Sequence, residues 1–495
     1  MSAEWSLSSW KSKSIAQVHV FFFLVSILLV LLKLEQLPPL VMLAEIKHLW
    51  YQLGLVQWND VFLLHAGNCA ESFDACTQVT QQLILFLIMI SLILIWGARV
   101  PVVRIGCIAG QYAKPKSSPT EIVNGKKVLS FRGDNVNGLD PNDRTPDPQR
   151  LLSAYLHSTA TLNHVRGLLT SGFASLHHPR VWSSIMKEFE FIVDGLSDAL
   201  DFSWTIGAER SAPFEQGGGR GTVGEVDFYT SHKGLILDYE EALTRPSPSG
   251  HGYYRTSAHF LWIGDRTRQL DGAYVEYFRG IRNPIGIKVG PSMAYGELAV
   301  LLDVVNPSKE LGRITLISRD AHLPGHIEAV KRSGHPFVWI CDPIHGNTLT
   351  SPTGYKTRHF SAIIGEITSC LRIHTSCGSR LGSISLEFTG ELNDEGFSVT
   401  ECLGGSMGLS EEQLGLRYQS FCDPRLNFEQ SLDGAFFLSN HFKKVGSDCD
   451  VIYSQKAPVK GEKGGKNKDN VESEDDGEAD EDVGTSKKGT SPPAV

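Results

Sequence analysis

Four widely separated positions carry side chains of the kind that bind divalent transition metals. They are Cys69 in GNCAESF, His345 in CDPIHGNT, Glu387 in SLEFTG and Asp423 in CDPRLN. A thiolate, an imidazole and two carboxylates form a competent donor set for such an ion. Each follows a run of strand-like residues, so a closed barrel of parallel strands would deliver them to one rim. The same reading places Arg104, Arg266, Lys288 and Arg319 at strand ends, with Asp265 and Asp342 beside them. Guanidinium groups grip phosphate oxygens bidentately. A metal together with fixed cations therefore implies an anionic, phosphorylated substrate. Taken singly, each residue also has a plain structural reading: a core cysteine, a turn histidine, a glutamate paired with lysine, an aspartate capping a helix. The conjunction is what points to an enzyme.

Eight strands are expected to position these residues: VFLLHAG (61–67), VVRIGC (102–107), HFLWIG (259–264), IGIKVG (285–290), ITLIS (314–318), FVWIC (337–341), SISLEF (383–388) and YQSFC (418–422). Most are short, apolar, rich in β-branched or aromatic residues, and bounded by Gly, Pro or Asp. Helical periodicity fills most of the gaps, and alternating strand and helix argues for a parallel sheet. The expected fold is a (β/α)8 TIM barrel over 51–450, preceded by an N-terminal extension over 1–50. The long gap after the second strand holds PQRLLSAYLHSTATLNHVRGLL and VWSSIMKEFEFIVDGLSDAL, read as a helical hairpin inserted at about 145–225. From 456 to 495 the chain is Lys-, Gly-, Glu-, Asp- and Ser-rich with almost no aromatics, the composition of a disordered charged tail.

The 495 residues, 41% of them hydrophobic, suffice for a large core, and the net charge of −9 argues against a nucleic-acid partner. The nine cysteines form no CxxC pair, and no N-x-S/T acceptor with a permitted middle residue occurs. Both features favour a reducing, non-secreted compartment. Two apolar runs, Val20–Leu32 and Leu83–Trp96, fall short of the about 20 residues a spanning helix needs. The second is expected to be a buried barrel helix, because the strand-like PVVRIGC follows at once. The first is expected to be a buried or interface helix, with a membrane-directed segment as the alternative. Gly219-Arg-Gly221-Thr-Val-Gly224 matches GxGxxG but lacks the strand–turn–helix context of a dinucleotide site.

The chain as a whole resembles one family. The motifs that carry the likeness are SSWKSKSIAQ, PPLV, DVFLLHAGNCAESFDACTQ, IAGQYAKPKSSPTE, SFRGDNVNG, TSHKGLILDYEEALTR, SAHFLWIGDRTRQLDGAYVEYFRGI, NPIGIKVGPSM, TLISR, CDPIHGNT, GYKTRHF, VTECLGG and YQSFCDPRLN. They resemble the type II 3-deoxy-D-arabino-heptulosonate 7-phosphate (DAHP) synthases of fungi, plants and some bacteria. The resemblance implies condensation of phosphoenolpyruvate (PEP) with erythrose 4-phosphate at the entrance to the shikimate route. Carried over, Cys69, His345, Glu387 and Asp423 would hold the divalent metal, with manganese expected and cobalt or another divalent ion as substitutes. Arg266, Lys288 and Arg319 would hold the PEP phosphate and carboxylate, with Asp265 in the same substrate site. Lys114 would lie near PEP and the reacting carbonyl, and Lys116 and Ser117 would face the erythrose phosphate. The family also implies a homo-oligomer, and a cytoplasmic location is expected.

Departures are specific. Cys107 stands where the family has an arginine that contacts the PEP carboxylate. Lys233 replaces a family glutamate, Lys116 an arginine and Asn68 an aspartate. The loop after Arg319 is shorter than in the family, and the segment between Thr389 and Val399 is longer. These changes leave open a working synthase or a drifted copy with a regulatory or scaffold role.

Overall fold

The computed structural model describes residues 4–17, 24–68, 70–75, 78–116, 118–123, 125–170, 194–195, 227–250, 252–393, 395–406, 409–420 and 422–448. Eight strands build its centre: β1 (Phe62–Gly67), β2 (Val102–Cys107), β3 (Tyr229–Lys233), β4 (Phe260–Ile263), β5 (Ile285–Val289), β6 (Ile314–Ser318), β7 (Val338–Cys341) and β8 (Ser383–Glu387). They close into a barrel in the order β1-β8-β7-β6-β5-β4-β3-β2. Every pairing is parallel, with Leu64 opposite both Ile384 of β8 and Arg104 of β2. The (β/α)8 expectation therefore holds.

Ten helices accompany the strands among the described residues: α1 (Leu24–Gln36), α2 (Leu43–Gln57), α3 (Gln78–Ala98), α4 (Gln149–Thr170), α5 (Leu237–Ala242), α6 (Ala273–Gly280), α7 (Tyr295–Val305), α8 (Leu323–Ser333), α9 (Phe360–Ser376) and α10 (Phe428–Asp448). Side-chain alternation along each strand divides the apolar residues between two cores. Leu63, Val103, Ile105, Tyr229, Phe260, Trp262, Ile317, Val338 and Ile340 fill the barrel interior. Leu49, Leu53 and Val56 of α2 join that cluster, so α2 plugs the N-terminal end of the barrel. The second core lies between the strands' outer faces and the helices, where Leu83–Leu94 of α3 is largely buried. α3 is long and apolar enough to cross a membrane, but it is mostly buried here, as the core-helix reading expects. It packs along α10, and a Cβ on Gly97 would collide with the backbone of Ser439 at that crossing.

Two expectations need correction. YQSFC is not a strand: residues 418–420 and 422 lie in loop, and the eighth place in the barrel belongs to Tyr229–Lys233. That strand was hidden because YTSHK has no apolar run. Its polar side chains are buried with partners instead: Thr230 Oγ1 bonds to the carbonyl of Ile108, and His232 Nε2 lies 2.7 Å from Glu240 Oε1. Arg104 is not at the mouth either. It sits in mid-strand facing outward, its Nε donating to Ser91 Oγ of α3 at 2.9 Å.

The first helix of the expected hairpin is α4. The second, over 181–200, lies outside the described residues except for 194–195, as does the tail. α1 occupies part of the first apolar run, and Arg245 Nη2 satisfies the carbonyls of Glu35 (2.9 Å) at its end and of Leu37 (3.2 Å) just beyond it. Val30 and Leu34 are buried, while Val25, Leu28, Leu29 and Leu32 are each more than half exposed. Trp5 Nε1 donates to the carbonyl of Glu276 and Trp10 Nε1 to Glu241 Oε2, tying the N-terminal segment to α5 and α6.

Candidate active site at the barrel mouth

The inward positions at the C-terminal ends of the strands form a polar ring. Alternation from the interior residues leads upward to Cys107 on β2, Lys233 on β3, Lys288 on β5, Arg319 after β6, Asp342 after β7 and Glu387 on β8. Below them the interior mixes apolar residues with neutral polar ones such as His65, Ser231 and Ser385; charge is confined to the end where helices and loops can enclose a ligand.

On one side of the ring His345 and Glu387 meet, with His345 Nε2 lying 2.9 Å from Glu387 Oε1. The other ring nitrogen, Nδ1, is 2.9 Å from Asp342 Oδ2. Lys288 Nζ pairs with the same Asp342 carboxylate, and Arg358 Nη1 reaches Glu387 Oε2 at 3.3 Å. Desolvation works to lower the His345 pKa, but the Asp342 and Glu387 carboxylates outweigh it and raise it to about 9. Burial pushes Glu387 up, yet His345 and Arg358 hold it down at about 2. Asp342 lies well below the usual carboxylate range: burial opposes this, and His345 and Lys288 overcome it.

This pair suits a divalent cation. Two donors each about 2.1 Å from one ion lie close to the observed separation when they subtend a right angle. Asp342, holding Nδ1, fixes the ring so that Nε2 faces Glu387, the usual outer-shell arrangement of a metal-bound histidine.

Asp423 is not at a strand end. It lies in the segment between β8 and α10, and its Oδ1 is 3.3 Å from Lys356 Nζ. Its backbone neighbours nonetheless run beside Glu387: the Leu426 N–H donates to the Glu387 carbonyl at 2.9 Å, and Arg358 bonds to the Pro424 carbonyl. Cys69 lies outside the described residues, but Asn68 is anchored, its N–H donating to the Cys107 carbonyl at 3.1 Å. Arg425 Nη1 donates to Asn68 Oδ1 at 3.4 Å while the same guanidinium binds Glu391 and Glu401. One buried arginine thus ties the segment before Cys69 to the segment after Asp423. Among the described residues no three or more His, Cys, Asp or Glu side chains are arranged so that they could hold one metal ion.

The remaining site residues divide by location. Arg319 lies beneath Gly346, where any Cβ would collide with its guanidinium, and its Nη2 is 3.2 Å from Glu366 Oε2. Asp265 and Arg266 follow β4 and are exposed, Asp265 pairing with Arg268 at 3.1 Å. Lys114 is buried in the loop after β2. Lys116 pairs with Glu121 at 3.1 Å, and Ser117 lies outside the described residues. The loop after β2 is held by a group that sequence reasoning missed. Glu71 accepts backbone N–H bonds from Ala109 (2.7 Å), Gly110 (2.8 Å) and Gln111 (2.6 Å). Glu71 stands in the quoted GNCAESF motif, but nothing local distinguishes its carboxylate from a surface one.

Cys107 is buried, its Sγ 3.3 Å from His65 Nε2 and 3.6 Å from Ser231 Oγ. Burial pushes the thiol up to about 12 and the His65 imidazole down to about 3, so both are neutral. A neutral thiol at this position offers a substrate carboxylate no charge.

Fold and mouth define the class: a (β/α)8-barrel enzyme with its polar groups gathered at the C-terminal face. The Class-II DAHP synthetase family matches residues 5–439. A phospho-2-dehydro-3-deoxyheptonate aldolase of Neurospora crassa is 45% identical over 470 residues, covering 89% of this chain and 95% of that protein. Another of the same name, from Streptomyces coelicolor, is 38% identical over 452 residues, covering 88% of this chain and 97% of its own length. A solved phospho-2-dehydro-3-deoxyheptonate aldolase from Francisella tularensis superposes with a TM-score of 0.44 at 12% identity, covering 86% of this chain and 99% of that one. The first three matches suffice without the last: the chain belongs to the class-II DAHP synthetase family.

Proposed function

We infer that the chain condenses PEP with erythrose 4-phosphate to give DAHP and inorganic phosphate. The observation that carries this is the family match across nearly the whole barrel, with two relatives of one activity above 35% identity. The ring of Lys288, Arg319, Asp342 and Glu387 supports it, since it gathers cations and metal-type side chains at one mouth, joined through Asp342.

Cys69, His345, Glu387 and Asp423 are the residues that would hold a divalent ion, and manganese is the reading adopted for its identity. Such an ion, when bound, supplies Lewis-acid polarisation of the aldehyde oxygen of erythrose 4-phosphate. Lys288, Arg319, Arg266 and Asp265 line the position for PEP, the cations facing its phosphate and carboxylate. Lys114 lies near PEP and the reacting carbonyl, and Lys116 and Ser117 face the erythrose phosphate. C3 of PEP bonds to the aldehyde carbon as its C=O π bond opens to a hydroxyl, water adds to C2, and the C2–O bond to phosphate breaks to leave a C2 ketone, the two water protons passing to the new hydroxyl and the departing phosphate. Fixing both substrates in this geometry converts a bimolecular encounter into an oriented reaction.

Self-association is supported by the outward stripe of Val25, Leu28, Leu29 and Leu32 on α1, an apolar face rarely left in water. A cytoplasmic location is supported by the mostly buried α3 and the cysteine usage noted above.

The test is consumption of PEP by purified protein with and without erythrose 4-phosphate and manganese. The reading expects loss of PEP only when both are present, and its abolition in Cys69→Ser. PEP consumption without metal, or full activity in Cys69→Ser, would count against it.

A further inference from the structure

β3 ends on Lys233, which faces into the barrel two residues above Ser231. The residue is 9% exposed. Its backbone N–H is used by Gln111 Oε1 at 2.8 Å, but its ammonium group has no hydrogen bond or ion pair among the described residues. The side chain crosses to the end of β4, where a Cβ on Gly264 would collide with Nζ; glycine leaves the ammonium room. Its charged neighbours are Arg266, Lys288 and Lys114, with Asp265 the one acid among them, and that carboxylate is already paired with Arg268.

A buried lysine surrounded by cations, with no acceptor of its own, is costly unless it is neutral or an anion arrives. A packing role would not require the charged end to point at other charges across the mouth. We propose that the Lys233 ammonium binds an anionic oxygen of PEP, completing the cationic sector from β3. The proposal rests on the reading of the mouth as the PEP site. Burial, then Arg266 and Lys288, lower the pKa of the free ammonium to about 7, so PEP would draw a proton onto it as it binds.

The experiment is calorimetric titration of PEP into wild type, Lys233→Met and Lys233→Arg, with manganese present and erythrose 4-phosphate omitted, so that no turnover is needed. It runs from about pH 7 to about pH 9, above the second phosphate ionisation near 6. Wild-type Kd should weaken about tenfold or more as the ammonium deprotonates. Lys233→Met should bind about tenfold more weakly at pH 7 and lose that pH dependence. Lys233→Arg should bind tightly throughout, because guanidinium does not titrate in this range. Wild-type affinity and an unchanged profile in Lys233→Met would overturn the proposal. So would a Lys233→Arg Kd that still weakened with pH, which keeps the idea testable if the methionine variant does not fold. Lys233-dependent PEP binding without DAHP formation would sink the functional reading and leave this one standing.

Discussion

At the scale of single residues, Asp342 has two partners and both matter. It fixes the His345 ring through Nδ1 and neutralises Lys288. Asp342→Asn should therefore lower manganese affinity or activity about 10–100-fold while leaving the barrel folded, as loss of an outer-shell carboxylate does elsewhere. Metal titration followed by the PEP assay checks this; unchanged affinity would remove Asp342 from its orienting role. Cys107 and Lys233 belong together at this scale. The first presents a neutral buried thiol, and the second is the amine proposed to become charged as PEP binds, on β3 where β2 offers none.

At the scale of elements, the loops after β1 and β8 are joined by Arg425, nearly fully buried between Glu391, Glu401 and Asn68. Arg425→Met leaves two glutamates without their cation and should cost about 3–5 kcal/mol in chemical denaturation, the usual penalty for breaking a buried pair. Activity should fall with it, since both linked segments carry proposed metal ligands. A variant of wild-type stability would show that the network is not structurally important. The α3–α10 crossing depends on Gly97 in the same way. Gly97→Val must push Ser439 of α10 away from α3 and should cost about 1–3 kcal/mol by overpacking, measured as a lower denaturation midpoint.

At the scale of the whole molecule, three buried histidines add to the loss of stability in acid. Burial holds His65 at about 3 and His326 and His374 at about 4, against 6.5 in the unfolded chain. The unfolded state thus takes up protons that the folded state refuses. Stability contributed by their neutral forms is complete above pH 6.5 and drains away as pH falls towards 4 and below. Melting temperature should drop across that window, and His374→Phe should flatten the slope; an unaltered slope would assign the acid sensitivity to other groups. Manganese should raise the melting temperature at neutral pH, by about 2.7 kcal/mol of added stability at a hundredfold excess over Kd.

Seven of the eight barrel strands could be read from sequence, because a short buried β-branched run between Gly, Pro and Asp has few other uses. His345 and Glu387 could be marked as partners for the same reason: they follow or end such runs. The sequence could not reveal β3, whose burial depends on Glu240, His259 and Ile108 supplying partners from distant segments. Nor could it place Asp423, which follows no strand and is positioned through Arg358 and Arg425 contacts that exist only once the chain has closed. Composition and periodicity act over a few residues and so determine elements. Which buried charge finds which partner is settled by the closure of the barrel, and with it the orientation of Arg104 outward, Lys233 inward and Glu71 onto its loop.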